Sequence, residues 1–72
     1  MQYHVLELHQ SKDTIKVSMV RGNIRTGMSC YVIVHADTYQ PIDCTFNLDT
    51  VQCRNMVKEA RRAIEEHMRV RG

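Results

Sequence analysis

The sequence predicts an α+β domain: an antiparallel meander of four strands with one C-terminal helix laid across one face. Three observations lead there. Residues 2–21 and 28–48 contain short runs with period-two alternation or β-branched enrichment. The connections between those runs are short and polar, which favours antiparallel neighbours. From Thr50 onward the apolar spacing changes to that of a helix. A three-stranded version, with residues 42–48 irregular, is the alternative. Seventy-two residues make a single domain, 1–72.

The first strand is QYHVLELH (2–9), and SKD closes a tight connection to TIKVSMVR (14–21). In the second run Ile15, Val17 and Met19 alternate with Thr14, Lys16 and Ser18, the pattern of a half-buried strand. The third run, MSCYVIVHA (28–36), is apolar on both parities. In the fourth, IDCTFNL (42–48), Ile42, Cys44, Phe46 and Leu48 alternate with Asp43, Thr45 and Asn47. Pro41 places that strand at an edge, because proline has no N–H to give to a ladder. In the tail, Cys53, Met56, Val57, Ala60, Ile64, His67 and Met68 form one stripe running to about Val70. Asp49 is expected to cap this helix, with Gln52 completing a capping box and Leu48 and Cys53 forming a staple. The expected core is Leu6, Leu8, Ile15, Val17, Met19, one parity of 28–36, the Ile42–Leu48 set and the helix stripe.

So short a chain buries a small core, and a partner subunit is one of the usual ways to stabilise it. Net charge is +2, unevenly spread. Residues 37–49 carry −3 from Asp37, Asp43 and Asp49, while residues 50–72 carry +3 and residues 1–36 carry +2. That mild asymmetry falls short of the footprint of a committed DNA binder. Three cysteines without a C-x-x-C pair fit reduced thiols and a cytoplasmic setting. Residues 1–13 lack a basic n-region and a continuous apolar run, so no signal peptide is expected. No membrane association is expected either, since no stretch nears the roughly 20 apolar residues of a span.

One helix covers one sheet face, yet the third run has apolar residues for two. With Met28, Cys30, Val32 and Val34 toward the helix, Tyr31, Ile33 and His35 point outward. By parity Tyr3 and Val5 are expected to join them, as is Val20. An apolar patch of this kind marks a protein–protein surface or a homodimer interface.

The stretch GNIRTGMS (22–29) is one letter from the phosphate-loop pattern, but Met28 replaces its lysine and a strand follows where a helix is needed. It is read as a strand connection whose Arg25, with Arg21 beside it, is available for phosphate contact. Lys16 and the helix residues Arg54, Lys58 and Arg61 extend this candidate nucleic-acid set. Arg54 lies in the first helical turn, where the macrodipole disfavours a cation. Metal ligation is not expected, because the histidines and cysteines lack finger spacing and Cys30, Cys44 and Cys53 occupy core positions. No cofactor and no small-molecule substrate are expected. Nothing pairs carboxylates for acid–base work, and His67 with Cys53 is the one nucleophile–base pair to check.

The run of strands followed by TFNLDTVQCRNMVKEARRA resembles, in outline, three-stranded DNA-binding domains such as integrase arm-binding domains. That likeness implies a helix behind a sheet that reads the major groove. Those families carry Arg and Trp on the reading sheet, whereas the outward positions here include Thr14, Lys16, Ser18, Tyr31 and Ile33 and no Trp. The outline also resembles small phage-encoded inhibitors of CRISPR complexes. The expectation is therefore a non-enzymatic, self-associating binding or regulatory protein of the kind mobile elements encode. It would act through Tyr3, Val5, Tyr31, Ile33 and His35; a nucleic-acid-binding domain is the alternative.

Overall fold

The computed structural model describes residues 2–71. It contains four strands and one helix: β1 Tyr3–Gln10, β2 Thr14–Arg21, β3 Met28–His35, β4 Pro41–Cys44 and α1 Val51–Arg71. The strands form one antiparallel sheet in the order β1-β2-β3-β4, each paired with its neighbour in sequence. The helix packs on one face, giving the ββββα arrangement that the change of period predicts.

The core lies between that face and the helix. Ile15, Val17 and Met19 of β2 and Cys30, Val32 and Val34 of β3 meet Met56, Ala60 and Ile64 of α1, with Tyr3 closing one end. Cys53 is also fully buried. Helix positions 53, 56, 60 and 64 recur every three or four residues, so one stripe touches the sheet throughout. His67 and Met68 continue the stripe in sequence but are exposed. There they line an open hollow with Leu8, Gln10, Ile15 and Ala36.

A β-bulge in β1 decides which of its side chains face inward. Val5 pairs with Met19 and Glu7 with Ser18, leaving Leu6 as the extra residue between them. Directly paired residues share a face, so Tyr3 and Val5 point to the helix together with Leu8, while Glu7 and His9 point outward. This corrects the expected placement of Tyr3 and Val5 on the outer face. It also removes Leu6 from the core, where it is 51% exposed.

The connections and helix start differ from expectation in similar ways. In β4 the register shifts between Ile33 and Val34, so Ile42 has no partner and lies 40% exposed. Beyond Cys44 the ladder ends on Thr45, whose N–H donates to the Tyr31 carbonyl while its Oγ1 accepts from the Tyr31 N–H. Phe46 still packs on the core, but Leu48 is exposed in the turn before the helix. Met28 is exposed as well, at the β3 end opposite Arg21. Thr50, not Asp49, caps the helix. Its Oγ1 accepts from the Cys53 N–H at 3.2 Å and donates to the Asn47 carbonyl at 2.6 Å. That turn back to Asn47 moves the boundary one residue along and leaves Asp49 exposed.

Residues 22–27 form a tight turn with no helix behind it. The Gly27 N–H donates to the Asn23 carbonyl at 2.6 Å, and the Arg25 N–H to Asn23 Oδ1 at 2.8 Å. A Cβ on Gly27 would collide with the Arg21 carbonyl and come within 2.7 Å of Val20 Cγ1. The turn thus lies against Val20, which is 5% exposed although its strand parity is outward. Val20 is accordingly not part of an open outer patch.

Candidate functional site

With Tyr3, Val5 and Val20 removed, the outer face has a smaller centre than expected. It consists of Tyr31 and Ile33 on β3, Lys16 on β2 and Asp43 on β4, with Thr14, Ser18, Glu7, His9 and His35 around them. Lys16 is directly opposite Ile33 across one ladder, and Asp43 is opposite Ile33 across the other. Tyr31 lies diagonally from both, within reach of long side chains. Its hydroxyl donates to Asp43 Oδ2 at 3.0 Å, and Lys16 Nζ stands 5.0 Å from its ring centroid. Tyr31 and Ile33 are half-buried, and His35 is exposed.

These contacts fix the tyrosine ring on a rigid strand between a cation and a carboxylate. The hydrogen bond to Asp43 raises the Tyr31 phenol above its ordinary value, because ionisation would lose that bond and face a second negative charge. The phenol is therefore kept as a donor. Chemically the face offers one aromatic anchor, one aliphatic side chain and paired opposite charges, the composition of a recognition surface.

The candidate nucleic-acid residues do not form one surface. Lys16 lies on the outer sheet face, whereas Arg54, Lys58 and Arg61 belong to the helix on the opposite side. Arg61 donates to Glu65 at 3.1 Å and lies 5.4 Å from the Tyr39 ring centroid. Arg21, paired with Tyr3 and Met28, is on the helix-facing side of the sheet, its guanidinium 5.6 Å from the Phe46 centroid. Its Nε is buried and has no hydrogen-bond partner among the described residues. Arg25 is exposed on the turn.

The three cysteines occupy the core end near the helix start. Cys30 and Cys53 are buried and Cys44 is half-buried, its Sγ 3.7 Å from Met56 Sδ. Burial, reinforced by Cys44 alongside, pushes the Cys53 thiol up to about 11. Burial also raises Cys30. Both therefore remain neutral, weakly nucleophilic thiols at ordinary pH. Among the described residues no group of three or more His, Cys, Asp or Glu side chains is placed to hold a metal ion. Cys53 and His67 are 14 residues apart on one straight helix, a separation of about 21 Å, so they cannot act as a nucleophile–base pair.

Sequence reasoning missed Tyr39. It adopts a left-handed backbone, φ 61°, in the turn between β3 and β4, with its N–H donating to the His35 carbonyl at 3.0 Å. Its ring packs on the core with Arg61 above it. A tyrosine in the left-handed region is uncommon, and no local sequence signal announces it.

The class these features define is a small ββββα sheet-and-helix protein with an uncovered, mixed-polarity sheet face. Comparison with protein families, with characterised proteins and with solved structures gives no match. Among the described residues no helix is long and apolar enough to cross a membrane.

Proposed function

We propose that the chain is a small non-enzymatic binding protein that recognises a protein partner through the outer sheet face centred on Tyr31 and Ile33. In this reading it acts as an accessory or inhibitory factor and needs no cofactor. The observation that supports it most is the clamp on Tyr31: the ring is held by Asp43 and Lys16 beside Ile33, on a face with no helix over it. A ring already fixed in one place loses little freedom on binding, so more of its contact energy appears as affinity. Lys16, Asp43 and His35 supply a polar rim suited to a partner of mixed charge.

A second reading is nucleic-acid binding by Arg25 and the helix. It is favoured by Arg54 and Lys58, which are exposed while the ion pairs of the helix engage Arg61 and Arg62. Its weakness is the spread of the basic residues over both sides of the sheet.

Affinity capture from source-cell extract separates the two, using the wild type and the double variant Tyr31→Asp/Ile33→Asp, with nuclease, at low and high salt. The first reading expects a nuclease-resistant protein partner that the variant loses while its circular dichroism stays unchanged. Capture that survives the double substitution overturns it. Capture that disappears with nuclease and falls steeply with salt supports the second reading.

A further inference from the structure

The two edges of the sheet are protected very differently. β4 has four residues and begins with Pro41, two features that discourage another strand from adding there. β1 has eight residues, YHVLELHQ, with neither proline nor lysine. Its N-terminal half is flanked: Ile24 of the 22–27 turn lines the same hollow as His4 and Val5. From Glu7 to Gln10 it pairs regularly with β2 on one side only. Beside this open stretch lies a hollow between strand and helix, lined by Leu6, Glu7, Leu8, Ala63, Glu66 and His67 among others. Leu6 is exposed there and Leu8 is half-buried.

We propose that the open half of β1 is a homodimer interface, at which a second copy of this chain adds its own β1 antiparallel about a two-fold axis at Leu8. This inference is independent of the partner assigned to the Tyr31 face. Charge complementarity selects the occupant and the register. Across a two-fold axis, paired residues must share a sheet face, so the axis has to pass through a residue position. An axis at Glu7 sets two carboxylates opposite each other, which is repulsive. An axis at His9 pairs the two histidines and leaves Glu7 opposite Ser11. An axis at Leu8 places Glu7 of each copy opposite His9 of the other, on the outer face where both are exposed. Lys16, the β2 partner of His9, adds a cation beside each incoming Glu7. On the helix face the two Leu8 side chains meet at the axis and close the hollow beside Ala63. The bulge at Leu6 stays outside the regular Glu7–His9 pairs. The product is an eight-stranded sheet with both helices on one face and two Tyr31 clusters on the other.

Sedimentation equilibrium of the full chain from about 1 to about 200 µM tests this, a range that spans weak self-association. The wild type is expected to sediment at twice the chain mass at the upper end. His9→Glu, which sets glutamates opposite Glu7 twice per dimer, should weaken association by about tenfold or more. Glu7→Lys/His9→Glu sets a lysine opposite each glutamate and should recover it. Both variants carry substitutions at exposed positions of a strand face, and circular dichroism checks that each is folded. A wild type that is monomeric throughout overturns the proposal, including the case in which it binds a foreign β-strand peptide at this edge. A dimer indifferent to His9→Glu also overturns it, because that dimer would use another surface.

Discussion

Tyr31 and Asp43 are joined across the β3–β4 pair, the phenol donating to the carboxylate at 3.0 Å in a diagonal relationship around Ile33. Because the bond belongs to the neutral phenol, Tyr31 titrates above its ordinary value of 10.0. Replacing Asp43 by Asn removes the negative charge and should lower the Tyr31 transition toward that value. Difference absorbance of the phenolate against the wild type measures it. The sign follows from linkage: a raised phenol contributes stability below pH 10 that is lost as pH rises through its folded value. An Asp43→Asn protein with an unshifted tyrosine titration would remove the clamp from the account.

Cys53 gives a second, larger alkaline signature. Its thiol is held near 11 against an ordinary 9.0, chiefly by burial. Below pH 9 it is neutral in both folded and unfolded chains. Above pH 9 the unfolded chain ionises first, so stability should fall from there until the folded thiol ionises near 11. The urea midpoint should therefore drop between pH 8 and pH 10.5 in the wild type and drop less in Cys53→Ala. At neutral pH a thiol-alkylating reagent should modify the half-buried Cys44 before Cys30 or Cys53, as peptide mass spectrometry would record.

The helix cap separates two adjacent residues. Thr50→Ala removes the bond to the Cys53 N–H and should cost about 1 kcal/mol, while Asp49→Ala should be nearly neutral. Urea denaturation of the two variants decides between them. Equal losses would return the cap to Asp49.

Gly27 and Gly22 should also differ. Gly22 has φ 92° with open space around it, so alanine there should cost about 1 kcal/mol from backbone strain alone. Alanine at Gly27 meets the Arg21 and Asn23 carbonyls and Val20, and should cost more, in the range of about 1–3 kcal/mol for overpacking. A Gly27→Ala protein as stable as the wild type would mean that the turn does not close over Val20.

Much of the fold could be read from period alone. Alternation in 14–21 and the 53–56–60–64 spacing are long, regular signals, and they place β2 and the helix core correctly. The errors cluster where one residue is inserted or one boundary moves. In YHVLELH both parities contain apolar side chains, so nothing local reveals that Leu6 is the extra residue. That single insertion turns Tyr3 and Val5 from the outer face to the core. Ile42 repeats the same failure in β4, and Leu48 shows that alternation can outlast the strand itself. Of the candidate site, Tyr31, Ile33 and Lys16 were placed outward by sequence. The partnership of Tyr31 with Asp43 was not legible, because it depends on the register of β4 against β3.

Binding of a protein by the outer face around Tyr31 and Ile33 is tested by nuclease-treated affinity capture with Tyr31→Asp/Ile33→Asp beside the wild type. A partner that is retained by the wild type through nuclease and high salt, and lost by the folded variant, is the result expected. A partner retained equally by both would contradict it.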